Sequence, residues 1–459
     1  MFILGHGGFN MDNPVCPLEY RYGRKEMTAI FGESSKLQFL LDVEAALARA
    51  HAKVGNISKE AADEISKKAT TKYVKAERVK EIELDTKHDI MAVTRALAEQ
   101  CKGDAGKYIH LGATSYDIVD TANALQFMAA TNEIKSQLKQ LRKTLVKHAK
   151  THKKTLMLGR THGQFSIPIT FGLKTAVFAM EVDRHLERLH EAQSRILVGK
   201  MSGAVGTGAA MGEHALKIQQ LVMQDLGLGV EEAATQIVCR DRYNELLCVC
   251  ANIASSMEKF ATEIRNLQRS EIREVAEAFE AKKQVGSSTM PHKRNPITSE
   301  QICGLSRLVR SYVIPAFENA IQWHERDLAN SSPERFILPH SLILTDWIVY
   351  QMNEVFANLK VFPENMQKNF ERSQGLPMAE AVMMKLVEQG MGRGDAHELV
   401  RTCSQSAIAA ETNLLSELLK EKSVCDALPK EVVTEAMDPH RYLGVTEQIV
   451  DNVVKKLSR

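Results

Sequence analysis

Residues 286–296 read Gly-Ser-Ser-Thr-Met-Pro-His-Lys-Arg-Asn-Pro, with two adjacent serines, a lysine, an arginine and an asparagine among two prolines. Gly286, Ser287 and Ser288 make a small-residue loop, and Lys293 and Arg294 put positive charge beside the Asn295 amide. Such a loop can bring a serine over a carboxylate substrate and neutralise the charge that develops there. A plain exposed basic turn needs neither the serine pair nor Pro291 and Pro296. His162, between Gly159 and Gly163 in GRTHGQ, is a second candidate. A histidine between glycines in a helical chain is expected to face a pocket, where a group titrating near neutrality suits proton transfer.

Three further polar clusters stand at joints of the helical pattern. His88 and Asp89 in TKHDIMAVTR precede a helical stripe, and Thr114, Ser115 and Asp117 in GATSYDIVDT open another. For the second cluster, N-capping by Ser115 or Asp117 is an equally simple use. WHERDLANSSPERF carries Arg326, Ser331 and Arg335, an anion clamp by residue type, since guanidinium groups bind phosphate or carboxylate through paired hydrogen bonds. The same residues would also serve as intrahelical ion pairs. In SGAVGTGAAMG (202–212) the glycine after Gly206-x-Gly208 comes one residue late, at Gly212. With no strand predicted before it, a dinucleotide-binding turn is rejected, leaving a mobile or closely packed loop near a ligand. His148 and His152 stand four apart in KHAKTHKK, which reads as a solvated basic helix face.

Long helices must position these groups. Only 12 prolines occur, with none between Pro17 and Pro168 and none between Pro168 and Pro291. An interior proline costs a helix roughly 3 kcal/mol, so such tracts permit very long helices. In 245–268 the apolar positions Leu246, Leu247, Cys250, Ile253, Ala254, Met257, Phe260, Ala261, Ile264 and Leu267 follow helical spacing. Similar stripes run through 118–149, 170–198 and 300–325, and alternating strand patterns are scarce. The expectation is an all-α protein with a bundle of extended helices. Breaks at 101–115 and 360–367 divide it into an N-terminal helical domain (1–111), a central bundle (112–362) and a C-terminal helical domain (363–459).

Composition excludes several classes. The 459 residues are 44% hydrophobic and 25% charged, with 59 Lys and Arg against 57 Asp and Glu. That balance offers no nucleic-acid or membrane surface, so anion binding must come from local clusters. No apolar run reaches transmembrane length, and the first ten residues lack the basic start of a secretory signal; Met11 is an alternative start. The eight cysteines form no CxxC, which points to buried free thiols in a reducing cytoplasm and to no zinc site.

Together these motifs resemble the fumarase/aspartase superfamily, whose signature loop reads Gly-Ser-Ser-x-Met-Pro-x-Lys-x-Asn-Pro; residues 286–296 match every fixed position. The KRNP ending is similar to the adenylosuccinate lyases and the carboxymuconate cycloisomerases. EYRYG, KHD, GATSYDIVDT, GRTHGQ, ATQIVCRDR and ERDLANSSPER resemble the former, in order over nearly the whole chain. The resemblance implies β-elimination of fumarate from adenylosuccinate and from its succinyl-carboxamide ribotide analogue, with no metal or organic cofactor. It implies Ser287 as general base, His162 as general acid, and Lys293 and Asn295 as stabilisers of the carboxylate intermediate. It implies that Arg21, Tyr22, Arg326, Ser331 and Arg335 hold the nucleotide phosphate and its surroundings. Lys87, His88, Asp89, Thr114, Ser115 and Gln236 would line the rest of the substrate site. It further implies a homotetramer that pools its central helices and shares active sites between subunits.

Two positions depart from the family pattern. Lys87 replaces the arginine of an Arg-His-Asp triplet, keeping charge but losing the planar guanidinium. Tyr116 stands where many members carry a smaller polar residue. The alternative, a carboxymuconate cycloisomerase, has no nucleotide to bind and no use for Arg21-Tyr22 or the Arg326, Ser331 and Arg335 set.

Overall fold

The computed structural model describes residues 15–278, 290 and 292–458. The helical spacing is realised closely: all ten stripe positions between Leu246 and Leu267 are at most 2% exposed in the helix Asp241–Leu267. The helix Ser115–Thr151 has 37 residues, a length of about 55 Å. Phe171–Ile196 has 26 residues, and Asp241–Leu267 and Ser331–Ala357 have 27 each. The 300–325 stripe is shorter than expected and splits into Ile297–Ser311 and Val313–Glu318. Conversely, Ser331–Ala357 continues through Pro339, whose missing N–H leaves the Arg335 carbonyl without its helical donor.

The chain forms two compact units. One holds residues through Leu138, His185–Ser255 and Gly304–Tyr350; the other holds Lys139–Arg184, Ser256–Cys303 and the chain from Gln351 onward. In the first, Leu41, Leu47, Ile65, Leu97, Ile118 and Val222 belong to one apolar core. Arg240 lies in this unit, 4% exposed, with all five of its N–H donors engaged. Nε donates to Glu334 Oε1 at 2.7 Å, NH1 to Asp120 Oδ2 and the Val238 carbonyl at 2.7 Å each. NH2 donates to Asp120 Oδ1 at 3.0 Å and Glu334 Oε2 at 3.1 Å. A buried charge is tolerable when paired and hydrogen-bonded in this way.

The glycine-rich segment belongs to the same unit and corrects one expectation. A strand does precede it: Val198–Gly199 pairs parallel with Gly229–Val230, and the helix Ala215–Leu226 lies between them in sequence. Each strand has two residues, and the loop's amides already have an anion. Ser202 N and Gly203 N donate to the Asp117 carboxylate at 2.9 and 3.0 Å, and Lys200 Nζ donates to it as well.

In the second unit, the strands Leu156–Thr161 and Gln164–Thr170 form an antiparallel hairpin, an element the scarce alternation in sequence did not announce. The C-terminal residues carry a core of their own, including Val382, Leu386, Val400, Leu414, Leu418 and Val433. His148 and His152 correct the solvated-face reading. Their rings stack at 5.8 Å, both sit edge-on to Phe171, and His148 Nε2 donates to the Phe356 carbonyl at 2.7 Å. All eight cysteines are free, but only Cys250, Cys303 and Cys403 are buried, while Cys239 and Cys425 are exposed.

Candidate active site

His162 owes its position to backbone geometry. Thr161 pairs with Gln164, so His162 and Gly163 form a two-residue hairpin turn, with φ of +54° and +76°. Positive φ at both central residues is the type I′ requirement, and glycine meets it without a Cβ penalty. Gly159 serves differently: a Cβ there would lie 2.6 Å from the Ile167 carbonyl oxygen. The register shifts between Leu158 and Arg160 at that point. The turn leaves His162 exposed. Arg160, two residues earlier, donates to Glu274 through NH1 at 3.0 Å and NH2 at 2.6 Å. Glu274 is wholly buried and also accepts from Asn369 Nδ2 at 2.9 Å. Neither Arg160 nor Glu274 was singled out by motif, although Arg160 lies inside GRTHGQ.

Ser287 lies outside the described residues. Downstream of it, Lys293 is exposed and Asn295 half-buried, just before the helix Ile297–Ser311. The Glu277 carboxylate accepts from Thr298 N at 3.2 Å and Ser299 N at 2.8 Å, satisfying free amides of that helix start. Gln268 Nε2 donates to the Arg294 carbonyl at 3.3 Å. Glu277 and Gln268 thus tether the basic end of the signature segment, another support that sequence reasoning missed.

The residues expected to bind substrate lie in the first unit, and several of them touch. Lys87 ends the helix Ala76–Thr86 in the left-handed region, and His88 caps the next helix, its Nδ1 accepting from Met91 N at 3.3 Å. An accepting Nδ1 leaves Nε2 as the donor, and it meets Ser115 Oγ at 3.3 Å. Arg335 NH2 stands 3.6 Å from Asp89 Oδ2. Thr114 N donates to Asp117 Oδ2 at 2.8 Å, the reciprocal half of a capping box. The capping use therefore holds for Asp117, and Ser115 is left to face His88.

A second group joins Tyr116, Gln236, Arg326 and Ser331. Arg326 NH1 donates to Gln236 Oε1 at 2.9 Å, and its guanidinium lies 3.4 Å from the Tyr116 ring centroid. The Tyr116 hydroxyl donates to Ser331 Oγ at 3.3 Å. Arg21 is exposed and donates through Nε to the Tyr22 hydroxyl at 3.3 Å. Three residues on, Arg24 anchors that segment by donating to Asp346 Oδ2 at 2.8 Å and Glu133 Oε2 at 2.6 Å. Chemically, the first unit supplies cationic and hydroxyl donors suited to an anionic ligand. The second supplies an exposed imidazole and an exposed ammonium. Among the described residues no His, Cys, Asp and Glu group is placed to hold a metal ion, and no helix is long and apolar enough to cross a membrane.

Two family models match the chain. The family described as Lyase matches residues 19–310, and the one described as Adenylosuccinate lyase C-terminus matches residues 375–453. The chain is 52% identical to adenylosuccinate lyase of Pyrococcus abyssi over 440 residues, covering 96% of this chain and 97% of that one. It is 51% identical to adenylosuccinate lyase of Methanocaldococcus jannaschii over 443 residues, 96% of each. Among solved structures, a fumarate lyase from Mesorhizobium sp. BNC1 superposes with a TM-score of 0.87 at 33% identity, covering 94% of this chain and 98% of that one. The 3-carboxy-cis,cis-muconate lactonizing enzyme from Pseudomonas putida gives 0.87 at 32% identity, with 95% and 98% covered. With half of its residues shared with such relatives along almost its whole length, the chain belongs to the adenylosuccinate lyase family of the fumarase/aspartase superfamily.

Proposed function

We propose that the protein cleaves adenylosuccinate to AMP and fumarate, and the succinylaminoimidazole carboxamide ribotide to AICAR and fumarate, in purine biosynthesis. The observation that carries this reading is the near-full-length identity to adenylosuccinate lyases. In the reaction Ser287 removes the Cβ proton of the succinyl group, and the electron pair of that bond forms the carbon–carbon double bond of fumarate. The carbon–nitrogen bond breaks, and His162 protonates the departing nitrogen. Before that bond breaks, Lys293 and Asn295 stabilise the extra charge on the carboxylate. A serine is a weak base in water, so the site must exclude water and supply positive charge for it to act.

Arg21, Tyr22, Arg326, Ser331 and Arg335 hold the nucleotide phosphate and its surroundings, while Lys87, His88, Asp89, Thr114, Ser115 and Gln236 line the rest. The contacts His88–Ser115 and Arg326–Gln236 support a preassembled binding surface. The working form is a cytoplasmic homotetramer with shared sites, organised as domains 1–111, 112–362 and 363–459. The separate apolar core of the C-terminal residues supports the last boundary.

The test is an ultraviolet assay of purified protein with adenylosuccinate, identifying AMP and fumarate without added cofactor. Turnover of carboxymuconate instead would overturn the lyase reading.

A further inference from the structure

Two arginines of the first unit, Arg240 buried and Arg326 half-buried, are held in opposite ways. Arg240 has a partner for every N–H, as described above. Arg326 does not. Its Nε donates to the Asp327 carbonyl at 3.0 Å and its NH1 to Gln236 Oε1 at 2.9 Å. NH2 is buried and has no hydrogen-bond partner among the described residues. Buried polar groups are nearly always paired, so such an exception calls for an explanation.

The Tyr116 ring supplies part of it. The guanidinium carbon is 3.4 Å from the ring centroid, a close cation–π contact. The two hydrogen bonds fix the guanidinium within its plane, and the ring fixes the plane itself. NH2, which has no partner, and the second N–H of NH1 are left to meet a ligand, and they would meet an anionic oxygen. The Tyr116 hydroxyl reaches Ser331 Oγ at 3.3 Å, so one side chain touches two members of the expected phosphate group.

We propose that Tyr116 is a positioning residue of the substrate site, its ring holding Arg326 flat so that NH2 receives an anionic oxygen of the nucleotide. The proposal rests on the lyase reading above, and its test separates the two. Tyr116→Phe keeps the ring, whereas Tyr116→Leu removes it. With adenylosuccinate, Tyr116→Leu is expected to raise KM about 3- to 30-fold, the range of a cation–π contact that is partly desolvated. Its kcat should stay within about twofold, and Tyr116→Phe should restore KM to near the wild-type value.

Both variants are first checked by thermal melting and oligomer size, and Tyr116→Met removes the ring in its place if Tyr116→Leu does not fold. Loss of kcat at unchanged KM, or equal KM increases in both variants, would overturn the role given to the ring. Binding of inorganic phosphate, measured by calorimetry, needs no turnover. Affinity lost in Tyr116→Leu and kept in Tyr116→Phe supports the positioning even if adenylosuccinate is not cleaved. Equal phosphate affinity in all three proteins overturns it whatever the reaction.

Discussion

Arg160 and Glu274 meet edge to edge, NH1 to Oε2 at 3.0 Å and NH2 to Oε1 at 2.6 Å, two residues ahead of His162. A planar fork against a carboxylate fixes direction as well as distance, so the pair aims the hairpin whose tip holds the imidazole. Glu274→Ala leaves a half-buried guanidinium without its counter-ion. It is expected to destabilise the protein by about 3–5 kcal/mol and, by misplacing His162, to lower kcat about 10²-fold. Denaturant melts and steady-state kinetics read the two effects separately. A melt that falls with kcat unchanged would show that the pair supports the fold but does not aim the histidine.

His162→Ala should lower kcat by about 10²–10⁴-fold with little change in melting temperature, since the exposed turn buries little apolar surface there. Ser287→Ala is expected to match it, with the assembly intact in both. Gel filtration beside the kinetics decides: if both variants fall apart, these residues are structural and the chemistry lies elsewhere.

Asp117 holds three backbone amides, those of Thr114, Ser202 and Gly203, together with the Lys200 ammonium. Both Asp117 and Lys200 are fully buried. Asp117→Asn leaves an uncompensated ammonium in the interior and is expected to cost about 3–5 kcal/mol of stability. Faster proteolysis within 202–212 should accompany it, because the loop loses one of its two acceptor oxygens. An unchanged denaturation midpoint would refute the hub.

Histidines of opposite sign set the pH dependence of stability. Burial pushes His148 below the ordinary 6.5, with the Phe356 carbonyl opposing, and burial beside His148 does the same to His152. Their stabilisation is present above pH 6.5 and is lost as pH falls through the lowered folded values. For His110, burial alone would lower the value, but the hydrogen bond and charge of Glu44, aided by Asp117, raise it. Its stabilisation is complete below pH 6.5 and is lost as pH rises through the raised folded value. In melts from pH 5 to 8, His148→Gln should flatten the acid side and His110→Gln the alkaline side. The reverse assignment would contradict the burial and pairing described here.

Periodicity located the helices because burying a stripe is what holds them, as Leu246 to Leu267 show position by position. The hairpin around His162 escaped that reading: a type I′ turn rests on two φ values, and although Gln164–Thr170 alternates, its partner Leu156–Thr161 does not. KHAKTHKK looked solvated because its lysines dominate the pattern, yet His148 and His152 pack against Phe171 and Phe356, distant in sequence. Of the residues expected to bind substrate, Arg326, Ser331 and Arg335 stood out by type and His88, Asp89, Thr114 and Ser115 by position, whereas Arg21, Tyr22 and Gln236 came only from the family motif. Their supports, Arg24, Asp117, Glu274 and Glu277, act through partners between 3 and 322 residues away, and no local spacing reveals such pairings.

The left-handed backbone at His162 sets selection for durability against selection for turnover. A side chain with a Cβ costs about 1–2 kcal/mol in that region, and glycine or asparagine would rest there more comfortably. A mutant library screened only for heat resistance should drift toward those two residues at codon 162. A library screened for fumarate release should keep histidine, so the divergence of the two populations at that codon would weigh the imidazole against the comfort of its own turn.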